Sequence, residues 1–326
     1  MYLSSTNKAH NVDPDPVFVL RSQNDDVSSL SYDPHSKTII SGTATGYVRF
    51  WNPITQRPIT ELQAGGSSIL HLETIQYGNN DETLLVTHNR KGEIMIWKLR
   101  FTEDNIMFDC VIEWHFPAIG FCPISITQNE TTKFWIALPD EKSYISIRDY
   151  PNSCSKILKL HENKGMIMQM KLLALDHIFV LIAGYEDGSI LLWDVEKRSV
   201  LCSLKLFDDP IMALCFDFKT MKFLATSATN SLKVIKIEEN FTKMELLRTI
   251  DTQYKGSSAI KLRNDNKLVF IGGWDGKVRV YNWKNMKLLA VLKYHSETIN
   301  CIAFDENNRV IVGSKDGKIS VWDVYT

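Results

Sequence analysis

The sequence lacks the cysteine and histidine spacings that metal sites and disulfide frameworks require. Its six cysteines are scattered over 326 residues, with no Cys-x-x-Cys pair and no histidine at ligand spacing nearby. Long apolar runs are also missing, and a run such as Ile178 to Ala183 is far too short to span a bilayer. We therefore expect no bound metal and no transmembrane helix, and we expect the cysteines to be small buried hydrophobic side chains in a reducing compartment.

The sequence also lacks the motifs of the common enzyme classes. It contains no Gly-x-Ser-x-Gly nucleophile turn, no phosphate-binding P-loop, no dinucleotide-binding Gly-x-Gly-x-x-Gly and no His-Glu-x-x-His. An excess of one charge is absent too, because 37 Lys plus Arg balance 38 Asp plus Glu. A chain this close to neutral argues against a dedicated nucleic-acid backbone binder, which carries a basic face, although net charge does not exclude a local basic patch. We expect a non-enzyme with no catalytic residues, no cofactor and no direct nucleic-acid or membrane partner.

Residues 1–16 lack the features of a targeting signal or of an assembly helix. They are polar, without the apolar segment of a secretory signal, and they show no heptad pattern. Pro14 and Pro16 disfavour a helix at the end of this segment. We expect a flexible N-terminal lead over residues 1–16 of an intracellular protein, without the coiled-coil helix that precedes the first blade of a G-protein β subunit.

What the sequence does contain is an internal repeat. Four copies place a Trp five residues after a Gly, and three degenerate copies lack the Trp but keep the alternation of apolar and polar residues. The seven copies end at Trp51, Trp97, Arg148, Trp193, Lys236, Tyr281 and Trp322. Their spacing averages about 45 residues, which is the period of WD40 repeats. Each copy follows two apolar strand-like runs, so four short antiparallel strands make one blade of a propeller.

The two ends of the repeat array predict how the ring closes. The last copy has no outer strand after Trp322, whereas the strand-like segment Val17 to Arg21 precedes the first inner strand. This segment is expected to supply the missing strand, because closure removes the exposed sheet edges of an open array. The prediction is an all-β fold, a seven-bladed WD40 β-propeller closed by an N-terminal outer strand. Residues 17–326 then form a single domain, where length alone suggests about two.

The seventh repeat carries the most complete motif. Its Asp316-Gly317 pair is a tight-turn signal, since Gly tolerates positive φ. WD repeats place a hydrogen-bond relay from His through Ser and Asp to Trp at the positions of four residues here, His295, Ser314, Asp316 and Trp322. We predict a structural role for these four side chains, which tie the loops of the blade to its sheet.

Partner binding is expected on the rim formed by the loops between the second and third strands. Trp274 is the leading candidate, because an exposed aromatic side chain costs solvation unless a partner covers it and aromatic residues dominate interface hot spots. The alternative is that Trp274 folds over its own blade. Tyr185 and Arg90 are weaker candidates on the same rim.

The terminal sequence resembles one particular WD-repeat family. Residues 272–292, Tyr294-His295 and residues 313–325 are similar to the end of the G-protein β-subunit-like WD-repeat family, and the resemblance favours its fungal ASTRA-associated members. The opening, Asp15-Pro16 followed by Phe-Val-Leu-Arg at residues 18–21, is similar to that family as well. Arg279 and Trp283 lie inside the family-specific stretch and become further candidates for partner contact, with packing at the ring closure as the alternative.

The resemblance implies a non-enzymatic scaffold subunit of the ASTRA assembly. Its implied partners are the Tel2-Tti1-Tti2 cochaperone, the RuvB-like AAA+ ATPases and the Tra-type kinase-like protein. It further implies a role in the assembly and stability of phosphatidylinositol-3-kinase-related kinases, in chromatin regulation and in telomere maintenance, with a location in the nucleus and also in the cytoplasm.

Two other classes of function stay open at this point. The first is a substrate receptor of a cullin-type ubiquitin ligase, although the Trp-Asp-x-Arg ending linked to that role is absent after Trp193 and Trp322. The second is a propeller hydrolase, which would need clustered polar side chains in the central channel.

Overall fold

A computed structural model of the chain describes residues 14–22, 25–78, 82–102, 105–116, 120–140, 144–175 and 178–325. Twenty-eight strands in these ranges form seven four-stranded antiparallel sheets. The predicted seven-bladed propeller is thereby confirmed. The predicted flexible lead falls on residues 1–16, of which the first thirteen lie outside the described residues. The described residues contain no helix long and apolar enough to cross a membrane.

Each of the first three blades runs from an inner strand at the channel to an outer strand at the circumference. Blade 1 holds β2 (Val27–Asp33), β3 (Thr38–Thr43), β4 (Tyr47–Asn52) and β5 (Arg57–Gln63). Blade 2 holds β6 (Ile69–Tyr77), β7 (Glu82–Asn89), β8 (Glu93–Phe101) and β9 (Ile106–His115). Blade 3 holds β10 (Ser125–Glu130), β11 (Lys133–Pro139), β12 (Ile145–Tyr150) and β13 (Ser155–Leu158).

The next three blades repeat this order. Blade 4 holds β14 (Ile167–Leu175), β15 (Ile178–Tyr185), β16 (Ser189–Asp194) and β17 (Ser199–Lys205). Blade 5 holds β18 (Ile211–Asp217), β19 (Lys222–Ser227), β20 (Ser231–Ile237) and β21 (Met244–Asp251). Blade 6 holds β22 (Ser257–Leu262), β23 (Leu268–Gly273), β24 (Lys277–Asn282) and β25 (Leu288–Lys293).

Blade 7 joins the two ends of the described chain. It holds β26 (Ile299–Phe304), β27 (Val310–Ser314), β28 (Lys318–Trp322) and, as its outer strand, β1 (Phe18–Arg21). The antiparallel register of β1 with β28 runs from Phe18 opposite Val321 to Arg21 opposite Lys318. The sequence prediction that the N-terminal strand closes the ring is confirmed.

Neighbouring blades interlock through a glycine of the second strand and a branched residue of the next inner strand. A Cβ atom added to Gly42 would lie 2.7 Å from Ile69, one added to Gly184 would lie 2.7 Å from Ile211, and one added to Gly272 would lie 2.5 Å from Ile299. Larger residues at these positions would therefore force the blades apart, because protein interiors are close-packed. The hydrophobic core accordingly lies between the blades.

Six of the seven inner strands carry a β-bulge next to their first residue. Side chains displaced by these bulges bind the backbone of the following blade. The Ser28 hydroxyl donates to the Ile69 carbonyl at 2.7 Å, and the Asn300 amide donates to the Val27 carbonyl at 2.9 Å. The Asn300 bond joins blade 7 to blade 1, so the closure is secured at the channel as well as at β1. A bulge redirects a side chain in this way without ending the strand pairing.

Candidate functional site: the rims and the central channel

The chain alternates between two rims of the ring. We call the rim that carries the loops between second and third strands, and the loops into the next blade, the upper rim. The lower rim carries the other loops.

In blade 7 the upper rim is tied to the sheet by a buried hydrogen-bond relay. Asp316 accepts from His295 Nδ1 at 3.1 Å, and His295 Nε2 lies 2.7 Å from the Ser320 hydroxyl. Trp322 Nε1 donates to that hydroxyl at 2.7 Å.

The relay fixes the protonation of its members. Because Nδ1 donates to Asp316, a neutral His295 accepts the Ser320 proton at Nε2. Burial lowers the pKa of His295, and this exceeds the opposing effect of the Asp316 charge. For Asp316, burial would raise the pKa, but the charge of His295, its hydrogen bond and the backbone N–H groups of Ser296 and Lys318 lower it overall. The pair is therefore a neutral imidazole beside a carboxylate.

One member of the predicted relay needs a correction. The hydroxyl between His295 and Trp322 belongs to Ser320, whereas the hydroxyl of Ser314 donates to the Glu297 carbonyl at 3.0 Å and accepts from the Asp316 backbone at 3.2 Å. Ser314 thus shapes the turn and lies off the path to the tryptophan.

The other blades explain this shift. In blades 1 and 2 the second strand supplies the hydroxyl, so Trp51 donates to Ser41 at 2.8 Å and Trp97 donates to Thr87 at 3.1 Å. Blade 7 has Val312 at the corresponding position, directly opposite Ser320 on the third strand. The third strand therefore provides the missing hydroxyl from across the pair.

Trp274 lies on the upper rim between β23 and β24, with one face packed and one open. Its ring covers Gly256, where an added Cβ atom would lie 2.1 Å from the indole. The residue nevertheless remains 42% exposed. The packed face agrees with the interpretation that Trp274 folds over its own blade, and the open face is the one that a partner would cover. The role of Trp274 in partner binding stays a prediction.

A second exposed group on the upper rim pairs Arg90 with Phe121. The Arg90 guanidinium lies 4.1 Å from the centroid of the Phe121 ring, and Phe121 is 54% exposed. Cation–π contact holds the arginine over the ring and keeps both groups accessible. The sequence analysis named Arg90 but did not identify Phe121 as its companion.

The structure corrects the other three candidates for partner contact. Arg279 is buried, with its guanidinium 2.9 Å and 2.6 Å from the two carboxylate oxygens of Asp275 and 3.4 Å from the Tyr254 ring centroid. Trp283 is buried and donates to Asp217 at 2.7 Å, from blade 6 to blade 5. Tyr185 is fully buried. These side chains are packed in the interior and offer no surface to a partner. For Trp283 the packing joins blades 5 and 6, and not the ring closure that the alternative named.

The central channel has a volume of about 700 Å³. Its walls include His71 and Glu73 of blade 2, Lys171 of blade 4 and Lys261 of blade 6. His71 Nε2 lies 3.3 Å from a Glu73 carboxylate oxygen. Burial would raise the pKa of Glu73, but the hydrogen bond and charge of His71 and the charges of the two lysines lower it overall.

The channel is where a propeller hydrolase would need clustered polar side chains. Glu73 is the one carboxylate among its described lining residues, so these provide no carboxylate pair for acid–base chemistry. In the ranges that the structure describes, no three His, Cys, Asp or Glu side chains form a group that could hold a metal ion. The channel lysines were not predicted from the sequence; each lies four residues after the first residue of its inner strand, a spacing that only the structure reveals as a shared level.

Comparisons with known proteins agree with this architecture. The family model described as "WD domain, G-beta repeat" matches residues 14–52, 244–282 and 286–323. The mouse protein named guanine nucleotide-binding protein subunit beta-like protein 1 is 30% identical over 324 residues, covering 96% of this chain and 97% of the relative. ASTRA-associated protein 1 of Schizosaccharomyces japonicus is 27% identical over 377 residues, covering 96% and 99%. Its namesake in Schizosaccharomyces pombe is 26% identical over 382 residues, with the same coverage.

Proposed function

Since the chain belongs to the G-protein β-subunit-like WD-repeat family, together with the mouse and fungal relatives above, we propose that it is a non-enzymatic scaffold subunit of an ASTRA-type assembly. The observation that carries the proposal is likeness over nearly the full length to proteins whose names record association with ASTRA. A shared single repeat would support only the fold, whereas likeness across all seven blades supports a shared surface.

The closed ring suits a scaffold. Inner-strand bulges and the β1–β28 closure fix the positions of its loops, so partners meet surfaces that are ordered before binding. Preorganised surfaces lose little conformational entropy on association. We propose that the upper rim, with Trp274 and the Arg90–Phe121 pair, is the principal contact surface, because exposed aromatic and arginine side chains supply most interface energy.

The proposal extends to specific partners and to location. By the family resemblance, the partners are the Tel2-Tti1-Tti2 cochaperone, the RuvB-like AAA+ ATPases and the Tra-type kinase-like protein. The scaffold would then support the assembly and stability of phosphatidylinositol-3-kinase-related kinases, and through them chromatin regulation and telomere maintenance. Such a role calls for a nuclear location, with a cytoplasmic pool where new kinases are assembled.

Affinity purification of the tagged full chain from native extract tests the proposal. We expect cochaperone, ATPase and kinase-like subunits among the recovered proteins, and imaging of the tagged chain should place it in the nucleus and cytoplasm. Recovery of a cullin and its adaptor in their place would favour the ubiquitin-ligase alternative. Recovery of none of the expected subunits would rule out the scaffold role in this assembly.

A further inference from the structure

The central channel carries an arc of positive charge that the scaffold role does not use. Lys171 and Lys261 lie at one level of the channel wall, each four residues after the first residue of its inner strand, on blades 4 and 6. The residue at this level on the intervening blade 5 is Cys215. The two ammonium groups therefore flank a small uncharged position.

The lysines have no anionic partner of their own. Among the described residues, neither ammonium has a carboxylate within the 4.0 Å of an ion pair. The channel's carboxylate, Glu73, lies at the same level on blade 2 and is bound by His71 at 3.3 Å. Lys171 is partly buried, and an ammonium with little access to bulk water and no partner is costly, so a guest anion is favoured between it and the exposed Lys261.

The surroundings strengthen this preference. Burial lowers the pKa of Lys171, and the Lys261 charge lowers it further, against the opposing effect of Glu73. An anion between the two lysines would offset both the burial of the Lys171 ammonium and its repulsion by the Lys261 ammonium. Toward the upper rim the channel is lined by Leu70, Met168 and Met212 and, at the same strand position on blades 1, 6 and 7, by Ser28, Ser258 and Asn300. The three polar side chains donate to backbone carbonyls of the next blade, and none of the six carries a charge that would repel an anion.

We propose that the channel binds a phosphoryl oxyanion between Lys171 and Lys261. Two ammonium groups match the two negative charges of a phosphate dianion, and lysine binds phosphate as a compact point charge. The volume of about 700 Å³ admits a phosphoryl group together with the group that carries it. That carrier is either a small phosphate compound free in solution or a phosphorylated side chain entering from the upper rim.

Isothermal titration of the full chain with pyrophosphate and with inorganic phosphate, at fixed ionic strength, tests the site. We expect saturable binding, weakened about tenfold by either Lys171→Gln or Lys261→Gln, which is the effect of about 1.4 kcal/mol. Glu73→Gln removes a repelling charge and should tighten binding severalfold. Lys284→Gln, at an exposed position of blade 6, is the matched control and should leave binding unchanged.

A second arm distinguishes the two carriers. A short phosphoserine peptide that binds more tightly than inorganic phosphate, and loses this advantage in Lys261→Gln, identifies a phosphorylated protein as the source. Inorganic phosphate or pyrophosphate binding at least as tightly as the peptide identifies a small free compound. Lys261 is exposed within the channel, so its variant is expected to fold, as circular dichroism would verify.

The proposal is overturned by either of two results. The first is no saturable binding of pyrophosphate, phosphate or phosphopeptide at millimolar concentration. The second is binding that stays equal in the wild type and in the Lys171→Gln, Lys261→Gln double variant. Partner recovery in the purification experiment does not enter this test, so the scaffold role and the channel site stand or fall separately.

Discussion

Blades 4 and 7 share the same local motif but differ in the hydrogen bonds of their buried tryptophans. Asp187-Gly188 precedes Trp193 as Asp316-Gly317 precedes Trp322. Both glycines adopt positive φ, 84° and 72°. At Gly188 a Cβ atom would lie 2.2 Å from the Phe207 carbonyl oxygen, so the turn requires glycine. The motif therefore encodes the turn and the buried tryptophan in both blades.

The hydrogen bonds of the buried tryptophan differ between the two blades. In blade 7 Trp322 ends a relay of three further polar side chains. In blade 4 Ala183 occupies the position where Ser41 and Thr87 supply a hydroxyl. There Trp193 Nε1 and the Tyr185 hydroxyl are buried with no hydrogen bond of ordinary geometry to any described residue. The family model matches blade 7 and passes over blade 4. The motif thus fixes the turn in both blades, but it does not determine whether the buried tryptophan joins a hydrogen-bond relay.

The largest expected contrast comes from the two turn aspartates. Asp316→Ala should cost about 3 kcal/mol, because it leaves the buried His295 without its acceptor. Asp187→Ala should cost about 1 kcal/mol, since Asp187 is one-third exposed and binds Ser189 within its own turn. Urea denaturation of both variants measures the difference. Equal losses of unfolding free energy would show that the relay does not stabilise blade 7 beyond the turn itself.

Acidification should lower the free energy of unfolding through His88, a buried histidine. Burial, helped by the charge of His71, lowers the pKa of His88 from 6.5 to about 3, and His88 Nδ1 has no hydrogen-bond partner among the residues that the structure describes. Between these pH values the unfolded chain binds a proton that the folded chain refuses, so stability present above pH 6.5 is lost as the pH falls. The loss from this group is about 2 kcal/mol at pH 5.

The variant His88→Met should flatten this pH dependence. We expect the difference in unfolding free energy between pH 7 and pH 5 to shrink by most of that amount, as urea titrations at the two pH values would measure. His35→Gln, at an exposed site, is the control and should leave the dependence as in the wild type. An unchanged slope in His88→Met would contradict the assignment.

A smaller effect should separate the two tryptophans. Trp322→Phe and Trp193→Phe remove similar volumes from buried sites, but among the described contacts only Trp322 loses an indole hydrogen bond of ordinary geometry. We expect Trp322→Phe to be the more destabilising by about 1 kcal/mol. Thermal and urea unfolding of the pair provide the measurement. The reverse order would mean that blade 4 stabilises its indole by means other than hydrogen bonding.

The smallest change in stability is expected at the rim. Trp274→Ala should lower the free energy of unfolding by less than about 1 kcal/mol, since one face of the ring is already in solvent. Partner recovery in affinity purification should nevertheless fall. Phe218→Ala is the control, because Phe218 is 50% exposed on the lower rim. A large loss of stability with intact partner recovery would assign Trp274 to packing.

The features that were predictable from sequence are those repeated along the chain. The period, the Gly-to-Trp offset and the unpaired segment at Val17 to Arg21 predicted seven blades and their closure, because each blade must reproduce the same turn. Ser320 was missed since a valine at position 312 moves the hydroxyl to the opposite strand. Arg279 and Trp283 were misjudged because local sequence does not reveal that Asp275 and Asp217 hold them inside.

The channel was out of reach for a different reason. Glu73, Lys171 and Lys261 lie on three separate inner strands, and they share one level because each is the fifth residue of a strand with the same bulge and register. Bulges leave no dependable mark in a single sequence. The charged residues of the channel therefore come together only in the folded ring, and no single repeat reveals them.

The pairing of β1 with β28 sets the timing of folding during translation. The ribosome makes β1 before any other described strand and its partner last, so six blades can form while the seventh waits for its final strand. Throughout that interval the nascent chain holds one finished strand without its neighbour, and unpaired strands invite association with other chains. Completion of blade 7 is thus a single late event, and until it occurs β1 remains a strand with which another chain could pair.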